Sequence, residues 1–179
     1  MSQLRTNSIV PVGGIPAGAS GGGIIQCVQT VKTDTFSSNS TTNFVDITGM
    51  SVSITPRSAS NKVIIVYNVC TSIVNGGYVC HLRLVRGTTD IAQGTSSGNI
   101  ISGTTSAYSS SSAGEYPMYV QSMTFIDSPS TTSSTTYKLQ ARGWNFSSGF
   151  FYINNSAAES NTVNFTRTIS TIIAYEVSG

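Results

Sequence analysis

Side chains able to do acid–base, nucleophilic or metal chemistry are few in this chain and lie far apart. His81 is the only histidine, so a Ser–His–Asp triad has one candidate base and a multi-histidine metal site cannot be assembled. The seven acids, Asp34, Asp46, Asp90, Glu115, Asp127, Glu159 and Glu176, are isolated from one another. A glycosidase-type pair needs two carboxyls about 5–10 Å apart in the fold, and no spacing here predicts one. Cys27, Cys70 and Cys80 are odd in number and lack metal-ligand spacing. Buried, reduced thiols are the expectation, with a Cys70–Cys80 bridge across neighbouring strands as the alternative. "GASGGG" (18–23) is not followed by a Lys-Ser/Thr pair or a helix pattern, so it is no phosphate cradle. The Asn-x-Ser/Thr triplets at Asn39, Asn145, Asn154 and Asn164 arise by chance in a chain this rich in those residues. No catalytic residue, metal site or cofactor is expected, and the chain reads as a non-enzyme.

Composition narrows the class further. The 179 residues (18.8 kDa) are enough for one domain with a buried core. Charged residues are only 9%, against roughly 25% in ordinary soluble domains. Serine and threonine fill the gap at roughly 30% of the chain. The net charge is +2 with Lys and Arg scattered singly. No basic stripe is available to neutralise a phosphate backbone, so nucleic acid is not an expected partner. No run approaches about 20 apolar residues, so no insertion into a membrane is expected. "MSQLRTNSIVPVGG" lacks the apolar core of an export signal.

The elements that must carry any site read as strands. No window places apolar residues at i, i+3, i+4 and i+7. Residues 78–85 alternate: Tyr78, Cys80, Leu82 and Leu84 on one face, Val79, His81, Arg83 and Val85 on the other. "KVIIVYNV" (62–69) is apolar on both faces, as a central strand between two covering layers would be. "VNGG" (74–77) between these runs has hairpin-turn composition. Further strands are expected over 24–33, 43–47, 51–55, 118–126, 136–142, 149–154 and 168–177. Nine or ten such runs without helical crossovers predict an all-β fold, an antiparallel β-sandwich of jelly-roll-like type.

Three segments stand out as candidates for contact. Residues 87–114 form a long, nearly uncharged excursion, in which short strands at 89–93 or 100–102 are conceivable and 108–114 reads as solvent-facing loop. A rigid sandwich presents such loops for recognition. Asn99, Tyr108, Ser109 and Ser110 are its candidate receptor contacts, offering amide and hydroxyl groups with one ring face. "GWNFSSGFFYINN" (143–155) concentrates Trp144, Phe146, Phe150, Phe151 and Tyr152 in one hairpin-like unit, expected to serve as core or subunit interface. Finally, a Gly/Ala-rich tract leads straight into the strand that begins near Ile24. Residues 1–22 read as an anchoring arm and 23–179 as the head. The apolar positions Leu4, Ile9, Val10, Pro11, Ile15 and Pro16 are the arm's candidate docking residues.

"GGGIIQCVQTVKTDTFSS" (21–38), "SVSITPRSASNKVIIV" (51–66), "LRLVRGTTDIAQG" (82–94) and "FIDSPSTTSSTTYKLQARG" (125–143) occur in this order. Together with the start "MSQLRTNSIVP" they resemble small tail-fibre-like virion structural proteins of tailed bacteriophages, among them cyanophages and other aquatic phages. The resemblance spans nearly the whole chain, but its motifs are strand and turn patterns rather than chemical sites. It implies a β-sandwich head, a homotrimer, and attachment to other virion proteins through the N-terminus, and it carries no catalytic residues. The expected role is a tail fibre or tail tip in the virion, assembled in the host cytoplasm and able to meet a host surface glycan. The alternatives are a capsid decoration or head-fibre protein with the same fold, and an enzyme that depolymerises polysaccharide, against which the isolated acids speak.

If the arm is the anchor, deleting residues 1–22 leaves a folded head that no longer joins particles. Quantifying the truncated protein on purified virions checks this, and normal copy number would refute it.

Overall fold

The computed structural model describes residues 23–74, 78–109, 117–144, 150–157 and 159–179. Eleven strands are present and no helix, among the described residues. They are β1 (Ile24–Lys32), β2 (Phe36–Ser38), β3 (Val45–Ile54), β4 (Lys62–Ile73), β5 (Tyr78–Arg86), β6 (Thr89–Ile91), β7 (Thr105–Ser109), β8 (Tyr119–Asp127), β9 (Thr135–Trp144), β10 (Phe151–Ile153) and β11 (Ser170–Val177). Among the described residues no helix is long and apolar enough to cross a membrane.

All pairing is antiparallel and divides the strands between two sheets. The first holds β1, β11, β4 and β8 side by side, with β10 and β2 continuing beyond the far half of β4. The second holds β3, β9 and β5, and then both β6 and β7 along the free side of β5. Set the three-residue strands aside and eight remain. In chain order the first sheet reads first, eighth, third, sixth, and the second reads second, seventh, fourth, fifth. That is the double-sheet jelly roll, with every connection but one passing between the sheets.

Alternation explains why these residues fold so. Val63, Ile65, Tyr67 and Val69 of β4 are fully buried, while Ile64 and Val66 between them are half-exposed. Facing them from the second sheet are Cys80, Leu82 and Leu84 of β5 and Tyr137, Leu139 and Ala141 of β9. Burying each large apolar side chain contributes about 1.5–3 kcal/mol.

Polar bonds tie the sheets at the margins of this core. Asp127 of the first sheet accepts the Tyr137 hydroxyl (2.7 Å) and the Arg86 guanidinium (2.8 and 2.9 Å) of the second. Burial, then this bond to a carboxylate, pushes the Tyr137 phenol well above its ordinary pKa. The Tyr67 hydroxyl meets that of Thr105 across the sheets at 3.0 Å, and burial pushes its pKa up to about 12. Within the first sheet, Asn154, at φ 66°, donates to the carbonyls of Lys32 (2.9 Å) and Asp34 (3.0 Å) and accepts from Ser170 (2.6 Å).

Several expectations change. The 62–69 and 78–85 runs are not a hairpin: β4 and β5 lie in opposite sheets, and residues 75–77 between them fall outside the described residues. Each strand has one strongly apolar face, and placing the two across the core buries both. The 43–47 and 51–55 runs are one strand, interrupted by a register shift near Gly49, whose φ is +82°. The outer face of β4 is half-exposed rather than covered by a layer. Residues 87–114 are no unbroken loop, because β6 and β7 both pair with β5, whereas 100–102 forms no strand. The thiols differ in setting: Cys27 is exposed, Cys70 intermediate and Cys80 buried, all free. Cys70 and Cys80 stand in different sheets rather than on neighbouring strands. Burial pushes the Cys80 thiol up to about 12.

Glu176 supplies a pH test of the fold. Its side chain is buried on β11, where burial alone would raise the carboxyl pKa. Bonds from Asn61 (2.5 Å), Gln26 (2.6 Å) and the Arg57 N–H (2.7 Å) outweigh that and hold it below the ordinary value of 4.5. A depressed folded-state pKa means stability that is present above the unfolded value and lost as pH falls through the folded one. Glu176→Gln should therefore be less stable than wild type at pH 7, with the difference shrinking below about pH 4. Denaturant midpoints across this range would read it, and a gap independent of pH would contradict the assignment.

Candidate functional site

The outward positions of the second sheet carry half of the ionised strand residues: Asp46, Arg83, Asp90, Lys138 and Arg142. Alternation sends Arg83 of β5 and Gln140 and Arg142 of β9 to this face, with Arg83 paired to Gln140 and His81 to Arg142. Asp90 of β6 stands beside Arg83. Arg83 is held on three sides. It donates to Gln140 Oε1 from Nε (3.0 Å) and Nη2 (2.5 Å), and to Asp90 Oδ2 from Nη1 (2.7 Å). Its guanidinium lies 4.3 Å from the centre of the Phe44 ring, a cation–π stack. Gln140 in turn donates to Asp46 (2.6 Å), which also takes Lys138 (2.9 Å). The bonds from Lys138, then Gln140, hold the Asp46 carboxyl below its ordinary range.

Residues 92–104 wall the site. The Gly94 N–H to the Gly103 carbonyl (3.1 Å) closes this loop at its neck, and Thr104 binds the backbone of β5 at both Leu82 and Leu84. Ala92 (φ 54°) and Gly98 (φ 56°) turn the chain. Between this wall and residues 42–44 lies a cleft of about 570 Å³, lined by Phe44, Arg83, Gln93, Asn99, Ile100 and Arg142 among others. The volume is in the range of small-ligand sites. Arg142 gives its Nε–H to the Thr41 carbonyl (2.7 Å) and has no carboxylate partner among the described residues. The Gln93 amide nitrogen is buried without a partner there. The cleft thus combines an unpaired guanidinium, amides and an aromatic edge: groups suited to the hydroxyls and carboxylates of a polar ligand.

A second depression, of about 540 Å³, is formed by the single loop 159–167. Its charges satisfy each other through Arg167 and Glu159 at 2.6 Å, so it offers less to a ligand. Among the described residues no three His, Cys, Asp or Glu side chains are grouped to hold a metal.

The expected contact residues separate. Asn99 lines the cleft. Tyr108 belongs to β7 rather than a loop, and is 58% exposed on the same sheet face, flanking Val79 opposite Trp144. Ser109 is corrected: it points inward and is 1% exposed, because strand alternation turns it from Tyr108 into the core. Ser110 lies outside the described residues, as do Phe146 and the arm positions Leu4, Ile9, Val10, Pro11, Ile15 and Pro16. The aromatic segment is not one unit, because β9 and β10 occupy different sheets. Phe151 is core, Phe150 packs on Tyr152 (centroids 6.1 Å apart) at the first sheet, and Trp144 is half-exposed on the second. Phe44, Arg83, Gln93 and Arg142 were not picked out from sequence. The alternation of 78–85 already put Arg83 outward, but only strand order brings Arg142 and Phe44 to it.

No protein-family model matches the chain, and no curated protein does. Among solved structures it is similar to that of the infectious bursal disease virus Gx strain, at 16% identity and a TM-score of 0.44, over 84% of this chain and 37% of that one. It is also similar to the VP2 subviral particle of infectious bursal disease virus, at 14% identity and a TM-score of 0.40, over 86% and 37%. The chain spans little more than a third of the length of these structures.

His81 reports on the electrostatics of the cleft. Burial, and then the Arg142 charge, lower its pKa below 6.5, and its Nδ1 lies 3.1 Å from the Ser106 hydroxyl. Arg142→Ala should raise the His81 pKa part of the way back, burial being the larger cause. With a single histidine, its ring resonances in an NMR titration are unambiguous, and an unmoved midpoint would rule out the proximity of the two groups.

Proposed function

We propose that this protein is a non-enzymatic structural component of a phage virion: a homotrimeric tail fibre or tail tip, anchored to other virion proteins through residues 1–22. The observation that carries the reading is the division of the jelly roll's two outer faces. One is charged and bears the cleft around Arg142 and Asn99; the other is free of ionised side chains over its central rows. A sandwich with one face for recognition and one for assembly suits a particle-borne adhesin. The resemblance of the 21–38, 51–66, 82–94 and 125–143 segments to tail-fibre-like proteins supports the same role.

In this role the cleft meets a host surface glycan. Arg142 offers a planar donor fork for a sugar hydroxyl or carboxylate, and Asn99 and Gln93 offer amides. Single contacts of this kind are weak. Three copies held on one fibre raise the effective concentration enough for firm attachment.

Gold-labelled antibody on intact virions tests the placement: label at the tail is expected, and label over the capsid would move the protein to a decoration role. For the cleft, phage carrying Arg142→Ala with Asn99→Ala should adsorb to host cells at least tenfold more slowly at unchanged copy number of the protein. Unaltered adsorption would exclude the cleft as the receptor contact.

A further inference from the structure

The outer face of the first sheet is unlike that of the second. Register across the three ladders sets out its central rows. Cys27, Tyr175, Ile64 and Ile126 form one; Gln29, Ile173, Val66 and Thr124 the next; Val31, Thr171, Asn68 and Ser122 the third. None of these is Asp, Glu, Lys, Arg or His. Beyond them Ile24 stands opposite Val177 at one end and Val120 opposite Cys70 at the other. Ile24, Val31, Val120, Ile126 and Ile169 are exposed, at 64%, 45%, 65%, 60% and 56%. Among the described residues Lys62 stands at the margin of this face, opposite Val177 and bonded to Ser128 at 2.8 Å.

We infer that this face is where copies of this chain meet, same face to same face. Three features favour a second copy as the occupant. The first is size. Four strands about 4.8 Å apart and about eight residues long, at about 3.3 Å each, give a flat footprint of about 500 Å². Two such faces together remove about 1,000 Å² or more from water, the threshold for a specific interface. The second is charge. The other broad surface of the molecule carries Arg83, Asp46, Lys138 and Arg142. Seating that surface here would strip water from ions with no counter-charge to meet, at a cost that an uncharged face does not incur. The third is contiguity. Single exposed apolar residues are ordinary, whereas here Ile24, Ile64, Val66, Ile126, Ile173, Tyr175 and Val177 adjoin one another across the four strands, the kind of grouping that marks interaction sites. The inference rests on the reading of the protein as a self-assembling virion component; a same-face contact is two-fold, so it pairs copies with their cleft faces turned outward.

The test uses the full-length chain. Ile126→Lys and Val120→Lys each place a charge on an exposed position of the face, so neither disturbs the core. Ser53→Lys, exposed on the second sheet, is the control. Light scattering at micromolar concentration should give a multiple of 18.8 kDa for wild type and control. For both face variants the apparent dissociation constant should rise at least tenfold, with an unchanged circular dichroism spectrum. Cys27 is exposed in the isolated chain, so its alkylation by a maleimide should be slow in wild type and fast in the variants. A monomeric wild type overturns the inference; if its Cys27 is shielded all the same, the face is covered by the chain's own residues 1–22. An oligomer indifferent to both substitutions overturns it as well. Gold label absent from virions, with the oligomer and its sensitivity intact, would overturn the virion role and leave the interface standing.

Discussion

Removal of water from one face of every long strand is the constraint on which the architecture depends. The space between the sheets takes the alternate residues of β3, β4, β5, β9 and β11, and these are large and apolar along β3, β4 and β5. Such a space tolerates polar groups only at its margins and only when they are partnered. Asp127 meets that condition by holding Tyr137 and Arg86 from the opposite sheet. Glu176 meets it through Asn61, Gln26 and the Arg57 N–H at the end where β3 leads into β4. Asn154 does so in the left-handed region, which asparagine reaches more readily than most residues. Its amide satisfies one carbonyl at the end of β1 and one just past it, while its own carbonyl takes Ser170. The Asp127 clasp therefore fixes how the sheets sit on each other, Asn154 and Glu176 fasten strand ends of the first sheet, and the apolar fill provides the driving force.

This distinction also explains what could be read from the sequence. Strands whose inward residues are large, such as β4 and β5, announce themselves by period two, and β11 does so through its outward Ile173, Tyr175 and Val177. β7 does not, because its inward residues are Thr105, Ala107 and Ser109, too small and polar to stand out in a chain of this composition. Its neighbour β5 imposes the alternation, and Ser109 is buried as a result. Connectivity is the other blind spot. Asn and Gly after β4 suit a tight hairpin and equally suit a crossing between sheets. Which one forms is decided by where the apolar faces of β4 and β5 both find cover, a fact about the whole fold. The same holds for the aromatic run 143–155, where a change of sheet separates Trp144 from Phe151. At the cleft, Asn99 was legible as a polar residue in a long connection. Arg142 and Phe44 reach it only through the order β3, β9, β5, β6, which no local pattern encodes.

The shortage of charge acquires a spatial meaning in the fold. Lys32 and Glu176 are buried, and Asp127 with Arg86 clasps the sheet edges. Glu159 and Arg167 pair within one loop, and Asp46, Lys138, Arg83, Asp90 and Arg142 share one outer face. Little remains for the outer face of the first sheet, whose central rows consist of Ile, Val, Tyr, Cys, Thr, Ser, Asn and Gln. On a free-standing domain such a face favours association and precipitation, which ordinary surfaces resist by interspersing both signs of charge. Uncharged outward side chains suit a face that is covered once the protein is assembled. The serine and threonine that dominate the composition can lie against another copy or against water with little penalty either way. A charge there would have to be desolvated on assembly, so the composition of the chain and the asymmetry of its two faces follow from one physical requirement.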